Sequence, residues 1–146
     1  MIGGLVMIRK ATKLDETFIY NFIVELEGCE LDKGNFSKIY EENLNNPQVE
    51  YYVCEEDDKV IGFVSIHIQQ LLHHCSLIAE IQELFVARNA RNSGVGKQLF
   101  QKAVKISKER ECSQLEVCCN QKRVSSHRFY EAQGMTNHHY KFSLPL

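Results

Sequence analysis

No charge of one sign dominates this sequence: 17 Lys and Arg against 19 Asp and Glu leave a formal net charge of −2. That balance gives no electrostatic case for nucleic acid or an anionic membrane as partner. No apolar run approaches the roughly 20 residues that span a bilayer. Internal repeats, linkers and low-complexity stretches are all missing, which argues against a string of modules. Six cysteines, at 29, 54, 75, 112, 118 and 119, include no C-x-x-C pair. Reduced thiols in a cytoplasmic protein are the plain reading of that pattern. The opening MIGGLVMIRK has an apolar patch but no charged region before it and no cleavage-like site. No signal peptide is therefore expected, and Met7 is an alternative start.

What is present suits one folded domain. The chain has 146 residues, 44% hydrophobic and 25% charged. Residues 1–6 read as a short extension and 7–146 as the domain. Met7 to Ala11 reads as a first strand. Thr12 follows as an N-cap with Asp15 three residues on, and Leu14, Phe18, Phe22, Ile23 and Leu26 form a helical stripe that Gly28 ends. A second helix is expected over 36–44, with Phe36, Ile39, Tyr40 and Leu44 on one face, stopped by Asn45-Asn-Pro47. Strands over 50–55 and 60–69 flank a hairpin turn at 56–59. A third long strand covers 78–87. The helix over 97–110 turns Leu99, Phe100, Ala103, Val104 and Ile106 inward. A strand over 115–120, a short helix capped by Ser125 or Ser126 and ended by Gly134, and a last strand over 139–144 complete the chain. The order is β-α-α-β-β-β-α-β-α-β, one mixed α/β domain.

The richest signal lies between the long strand and the helix after it: Arg91-Asn92-Ser93-Gly94-Val95-Gly96-Lys97. Two glycines one residue apart, just ahead of a helix, let several backbone N–H groups converge on an anion, and the helix dipole adds positive potential. Such a nest suits phosphate or pyrophosphate, with Arg91 and Lys97 adding charge at its ends. Two familiar phosphate motifs fail. A Walker A loop needs Gly where Arg91 stands and Ser or Thr where Gln98 stands. A dinucleotide fingerprint needs a small residue at Leu99 and belongs in the first βα turn.

The spacing that fits is Arg91-x-x-Gly94-x-Gly96 after a mid-chain strand. With Asn120 at the end of the next strand and Phe129-Tyr130-x-x-x-Gly134-Met135 beyond it, the chain resembles the GNAT superfamily of acetyl-CoA-dependent N-acetyltransferases. Met135 departs from the aromatic usual there. Leu72-His73-His74, Glu80-Ile-Gln-Glu83-Leu84, Lys122-Arg123, His127-Arg-Phe-Tyr130 and Asn137 to Phe142 look like the aminoalkylphosphonate-acetylating branch. The resemblance implies a GNAT fold, with a central mixed, mostly antiparallel sheet flanked by helices.

It also implies roles. Acetyl-CoA is the cosubstrate, its pyrophosphate held at 92–97 and its pantetheine arm lying along Leu84, Phe85 and Val86. The Val86 N–H would face the thioester oxygen. Asn120 would hold the pantetheine or order its segment, and Ser126 joins the cofactor set. A protonated amine needs a base. Glu80 stands fourteen positions before Gly94, where many of these enzymes place theirs. Glu83 falls on the opposite face of a regular strand, unless a bulge intervenes. Tyr130, a phenol of pKa about 10, is the candidate acid for the departing thiolate.

The favoured acceptor is an aminoalkylphosphonate. His73, His74, Arg123 and His127, with Lys122 beside them, are loop residues suited to a negative head group. Solvated surface is the plain reading of each alone. No protein-held metal is assigned, although a divalent ion could bridge a phosphonate. The acidic run Glu25, Glu27, Glu30, Asp32 suits a cationic amine instead, such as a polyamine or aminoglycoside. An amino acid, a protein N-terminus, or a non-catalytic acyl-CoA-binding domain are the other readings. The resemblance also allows a homodimer.

Overall fold

A computed structural model describes residues 6–146. Residues 1–5, most of the expected extension, lie outside the described residues, and Val6 already pairs with Glu56. Among the described residues, five strands and four α-helices follow in the order β1 (Val6–Lys10), α1 (Glu16–Glu27), α2 (Lys33–Leu44), β2 (Val49–Glu56), β3 (Lys59–Leu71), β4 (Ser76–Val86), α3 (Val95–Glu109), β5 (Gln114–Val117) and α4 (Val124–Ala132). The strands lie in sequence order in one sheet. Successive pairs from β1 to β4 are antiparallel. The chain forms two compact bodies, residues 6–116 and 117–146.

In the first body, side chains alternate across the sheet as the strand period requires. Phe63 and its neighbour Val53 face α1 and α2, where Ile19 and Tyr40 close the layer. Gly62 faces the other way, toward Val95 and Leu99 of α3. The β2–β3 hairpin turns on Asp57 and Asp58, both at positive φ, the two-residue geometry whose twist matches the strands. Helix α1 ends at Gly28 in the left-handed region, as its position predicts.

The helical stripe expected over 14–26 is corrected. The Thr12–Asp15 capping box forms, but it opens a 3-10 turn rather than α1 itself. Three residues per turn instead of 3.6 shift the phase of everything after it. Leu14 and Phe18 therefore point outward, and Ile19, 1% exposed, is the anchor. Asp15 is buried and accepts both guanidinium nitrogens of Arg9 at 2.8 and 3.0 Å. Burial pushes its carboxyl up, but the bonds from Arg9 and Thr12 outweigh that and hold it below its ordinary value. In α3, Leu99, Phe100, Ala103 and Ile106 are buried as expected, whereas Val104 is half-buried.

In the second body, neither Ser125 nor Ser126 caps α4. The helix opens at Val124 behind Arg123, with no side-chain cap. Asn120 organises that turn instead: its carbonyl accepts the Arg123 N–H at 3.0 Å and its side chain accepts the Lys122 N–H at 2.9 Å. Gly134, at φ +92, does end the helix. The strand expected over 139–144 does not form, and residues 135–146 carry no regular structure. Tyr140, Phe142 and Leu144 have the strand period, but alternation makes a strand only where a neighbour supplies ladder bonds. All three lie more than four-fifths exposed.

Candidate active site

Strand β4 and the turn after it supply most of the site. A short 3-10 turn (Arg88–Ala90) follows Val86. Asn92 at φ +62 and Gly94 at φ +89 then bracket Ser93, and α3 begins at Val95. The first bond of the helix runs from the Gln98 N–H to the Gly94 carbonyl. The N–H groups of Val95, Gly96 and Lys97 precede it and have no acceptor within the helix. With the dipole of a fifteen-residue helix behind them, they form a site for an anion. The Val95 side chain is buried, so this residue offers a ligand only its backbone. Arg91, expected to add charge at one end of the nest, is also held within the chain. Its Nε donates to the Val86 carbonyl at 3.0 Å and its guanidinium stands 5.3 Å from the Phe85 ring centre, which pins the loop to the end of β4. Ser93 likewise spends its hydroxyl on the Ala90 carbonyl.

Among the described residues, no strand beyond β5 lies on the side of β4 away from β3. Leu84, Phe85 and Val86 stand opposite Val64, Phe63 and Gly62. The Ala87 N–H donates to the Ile61 carbonyl. Antiparallel pairs alternate between bonded and non-bonded. The Val86–Gly62 and Leu84–Val64 pairs are thus the non-bonded kind, and the N–H and C=O of Leu84 and Val86 point away from β3. On that side β5 starts near Leu77, to which Ser113 donates. With four residues it stops short of Leu84. An extended amide-bearing arm could take the place of a strand there.

One irregularity rearranges the acids. Glu80 stands opposite His67 and Glu83 opposite Ser65, although β4 has one residue more between these pairs than β3. Gln82 is the extra residue of a β-bulge. Because Ser65 and His67 are two apart, they share a face, and the bulge brings Glu80 and Glu83 to that same face. A regular strand would have set them on opposite faces. The Glu80 carboxylate accepts from Gln82 Nε2 at 2.9 Å. Glu83 accepts from the Ser65 hydroxyl at 2.5 Å, and its own N–H donates to that hydroxyl at 2.9 Å.

Glu83 lines a cavity of about 470 Å³ under α1 and α2, within the usual size of a small-molecule site. Ile19, Ile23, Phe36, Ile39, Tyr40 and Phe63 make its apolar wall, and Asn43, Tyr51, His67 and Gln82 its polar part. Asn43 Nδ2 donates to the Tyr51 hydroxyl at 2.7 Å. Burial raises the Tyr51 phenol, the Asn43 bond opposes that, and the Glu83 charge adds to the rise. Among the described residues that line the cavity, none is Lys or Arg.

The remaining expected site residues are placed as follows. His73 and His74 form a 3-10 turn between β3 and β4, their rings tilted 50° to each other, and His74 Nε2 lies 4.0 Å from Glu116. In the second body, His127 Nε2 lies 2.8 Å from the Asn120 carbonyl, and Arg123 precedes α4. Burial pushes the Tyr130 phenol up to about 12, with Cys119 adding and Arg123 opposing. The Ser126 side chain bonds to Cys119, whose thiol is itself raised by burial. Among the described residues no group of three His, Cys, Asp or Glu could hold a metal ion. No described helix is long and apolar enough to cross a membrane. Of the acidic run, Glu25 pairs with Arg88 and Asp32 caps α2.

Ser65, Tyr51, Asn43 and the α1–α2 wall are absent from the residues expected from sequence. Only the alternation Phe63, Ser65, His67 hints at a polar stripe, and nothing local marks its face as a cavity.

An anion nest at a helix start, a strand edge beside it and carboxylates on a bulge define a protein that binds a phosphorylated donor for group transfer. The model of the acetyltransferase (GNAT) family matches residues 15–135. An aminoalkylphosphonate N-acetyltransferase of Salmonella typhimurium (strain LT2) is 35% identical over 95% of this chain and 90% of its own. A glucosamine 6-phosphate N-acetyltransferase of Candida albicans is 22% identical over 86% of this chain and 84% of its own. Among solved structures, a transcriptional regulator from Bacillus halodurans C-125 superposes with a TM-score of 0.89 at 22% identity, covering 97% of this chain and 100% of that one. Aminoglycoside N-acetyltransferase AAC(6′)-Iy in complex with CoA gives 0.88 at 18% identity, covering 99% and 97%. These two share the fold. The chain belongs to the GNAT acetyltransferase family and is an acetyl-CoA-dependent N-acetyltransferase.

Proposed function

We propose that this enzyme moves acetyl from acetyl-CoA to the primary amine of a small acceptor by direct attack in a ternary complex, with an aminoalkylphosphonate as favoured acceptor. The bulge at Gln82 carries the mechanistic reading, because it turns Glu83 into the cavity beside Ser65. The Salmonella relative supports the acceptor. The family model runs across residue 116, which supports 7–146 acting as one domain. The free thiols of all six cysteines fit a cytoplasmic location. Association of two copies rests on the resemblance alone.

In this reading the N–H groups at 95–97 hold the pyrophosphate, with Lys97 beside them, and Leu84 and Val86 pair with the pantetheine arm. Asn120 and Ser126 complete the cofactor set. Glu83 takes a proton from the acceptor ammonium, with Glu80, on the same face of β4, as the alternative base. The amine lone pair forms the C–N bond at the thioester carbon, and the oxygen gains charge facing the Val86 N–H. The C–S bond then breaks, the thiolate takes the proton of Tyr130, and the extra proton on the new amide nitrogen passes through solvent to restore the phenol. A phenol raised to about 12 stays protonated at neutral pH.

One observation favours a second acceptor class. The cavity wall is apolar and aromatic, and Glu83 is the carboxylate in it with no Lys or Arg alongside. A phosphonate inside would lose water without gaining a countercharge. A cationic amine with an aliphatic or aromatic body suits the wall better. In the favoured reading only the amine end enters, and His73, His74, Arg123 and His127 serve the phosphonate.

A product screen by mass spectrometry separates these readings. The protein is incubated with acetyl-CoA and a panel of aminomethyl- and aminoethylphosphonate, alkyl- and arylalkylamines, polyamines, amino acids and aminoglycosides. N-acetylated phosphonate formed fastest supports the favoured reading. Faster acetylation of an apolar amine replaces the acceptor and keeps the reaction. Binding of acetyl-CoA with no product from any amine sinks the assignment of acceptor class.

A further inference from the structure

Ser65 sits in the middle of β3 with none of its surface exposed. A buried serine in a central strand costs free energy unless its hydroxyl is satisfied. Here one residue satisfies it from both ends. The hydroxyl accepts the Glu83 N–H at 2.9 Å and donates to Glu83 Oε1 at 2.5 Å. The N–H contact fixes the backbone where β4 resumes its register after the bulge. The Oε1 contact fixes the side-chain rotamer and leaves Oε2 for another donor. Alanine at 65 would pack as well in the sheet, but it would hold neither.

We propose that Ser65 is the positioning residue of the acceptor base: through its paired hydrogen bonds it sets the bulge and aims the Glu83 carboxylate into the cavity. This rests on the reading of Glu83 as the base. A carboxylate on a bulge has more backbone freedom than one on a regular strand. Misplacement by about 1 Å can cost about 10²-fold in rate. Ser65 removes that freedom from the side of the sheet away from the donor loop, so its loss should leave acetyl-CoA binding intact.

The test compares wild type, Ser65→Ala, Ser65→Cys, Glu83→Gln and the double variant Ser65→Ala/Glu83→Gln. Each is assayed with acetyl-CoA and aminoethylphosphonate, with hexylamine in parallel. Melting temperature and acetyl-CoA dissociation constant are measured for all. The expected result is a 10- to 100-fold fall in kcat for Ser65→Ala, with the KM and Kd for acetyl-CoA within about twofold of wild type. Ser65→Cys, whose thiol keeps a weak donor, should fall between. The double variant should be no slower than Glu83→Gln alone, because the two act as one unit. If Glu83→Gln keeps wild-type kcat, the reading of the base fails and this proposal with it. If Glu83→Gln is slow but Ser65→Ala is not, or if the two losses multiply, the base stands and the positioning role is refuted. A loss in Ser65→Ala that comes with equally weakened acetyl-CoA binding and melting is structural and also refutes it.

Discussion

Replacing Gly62 by alanine should damage both stability and coenzyme A binding, for a reason visible at three atoms. Gly62 is buried on β3, opposite Val86. A Cβ there would lie 2.9 Å from Leu99 Cδ1, 3.2 Å from Val95 Cγ1 and 3.3 Å from the Phe85 carbonyl oxygen. Leu99 is 0% and Val95 2% exposed, so neither has room to withdraw. Overpacking of this kind costs about 1–3 kcal/mol. Lower entropy of the unfolded chain returns about 0.4–1 kcal/mol. The net loss is about 1–2 kcal/mol, or a fall in Tm of about 2–8 °C for a domain of this length. Relief must come from α3 backing away from the sheet, because β3 is held on both sides. Val95 and Leu99 belong to the turns whose N–H groups form the anion nest, so the nest moves with them. If about 1 kcal/mol of preorganisation is lost, the Kd for coenzyme A rises about fivefold. Thermal melting and calorimetric titration with coenzyme A measure both effects, and Gly62→Val should enlarge them. A Gly62→Ala protein that melts no lower than wild type and binds coenzyme A equally well would refute the argument.

Three further outcomes follow from the same geometry. Asp15→Ala should destabilise by about 2–3 kcal/mol, since it breaks the cap and strands the Arg9 guanidinium; urea titration checks this. The native Asp15 pKa lies below the unfolded value of 3.8. Its contribution is therefore present above 3.8 and fades as pH falls through the native pKa, and a variant with wild-type acid sensitivity would contradict it. At high pH the sign reverses: Cys54 is raised to about 11 and Tyr52 to about 12 by burial. Stability from these groups is full below their unfolded values near 9 and 10, and fades as pH rises from there toward 11 and 12. The urea midpoint, measured with reductant, should fall over that window, and a flat profile would count against their burial. Tyr130→Phe should lower kcat about 10²-fold or more with coenzyme A affinity unchanged, and wild-type kcat should show no alkaline loss from this phenol below about pH 11. A Tyr130→Phe enzyme with wild-type kcat would remove Tyr130 from the mechanism.

Local signals carried most of the fold. The hairpin at Asp57-Asp58, the helix ends at Gly28 and Gly134, and the inward stripe of α3 depend on neighbours within a few positions, so the sequence shows them directly. The turn at Gly94 was legible for the same reason, because Gly94 and the helix after it are contiguous. What stayed hidden needed information from elsewhere in the chain. Thr12 and Asp15 announce a capping box but not the 3-10 turn that rotates Leu14 and Phe18 outward. Tyr140, Phe142 and Leu144 have the period of a strand but no ladder partner in the described chain. Apolar Ile39 is spaced like a core residue, yet it is half exposed at the cavity wall. Most consequentially, Gln82 stands between two glutamates with nothing to mark it as the residue that β3 does not match. Counting in twos separates Glu80 from Glu83, and only the observed register reunites them.

The anion nest and the reaction can be tested together by comparing acetyl-CoA with S-acetylpantetheine, the same thioester arm without the pyrophosphate and the phosphoadenosine it carries. Initial rates of N-acetyl product, formed from one primary amine acceptor identified by the product screen, give kcat/KM for each donor. If the N–H groups at 95–97 hold the pyrophosphate, both donors acetylate the amine and the truncated one does so with kcat/KM lower by about 10²-fold or more. Equal kcat/KM for the two donors would contradict the anion nest, and no acetylated amine from acetyl-CoA would contradict the account as a whole.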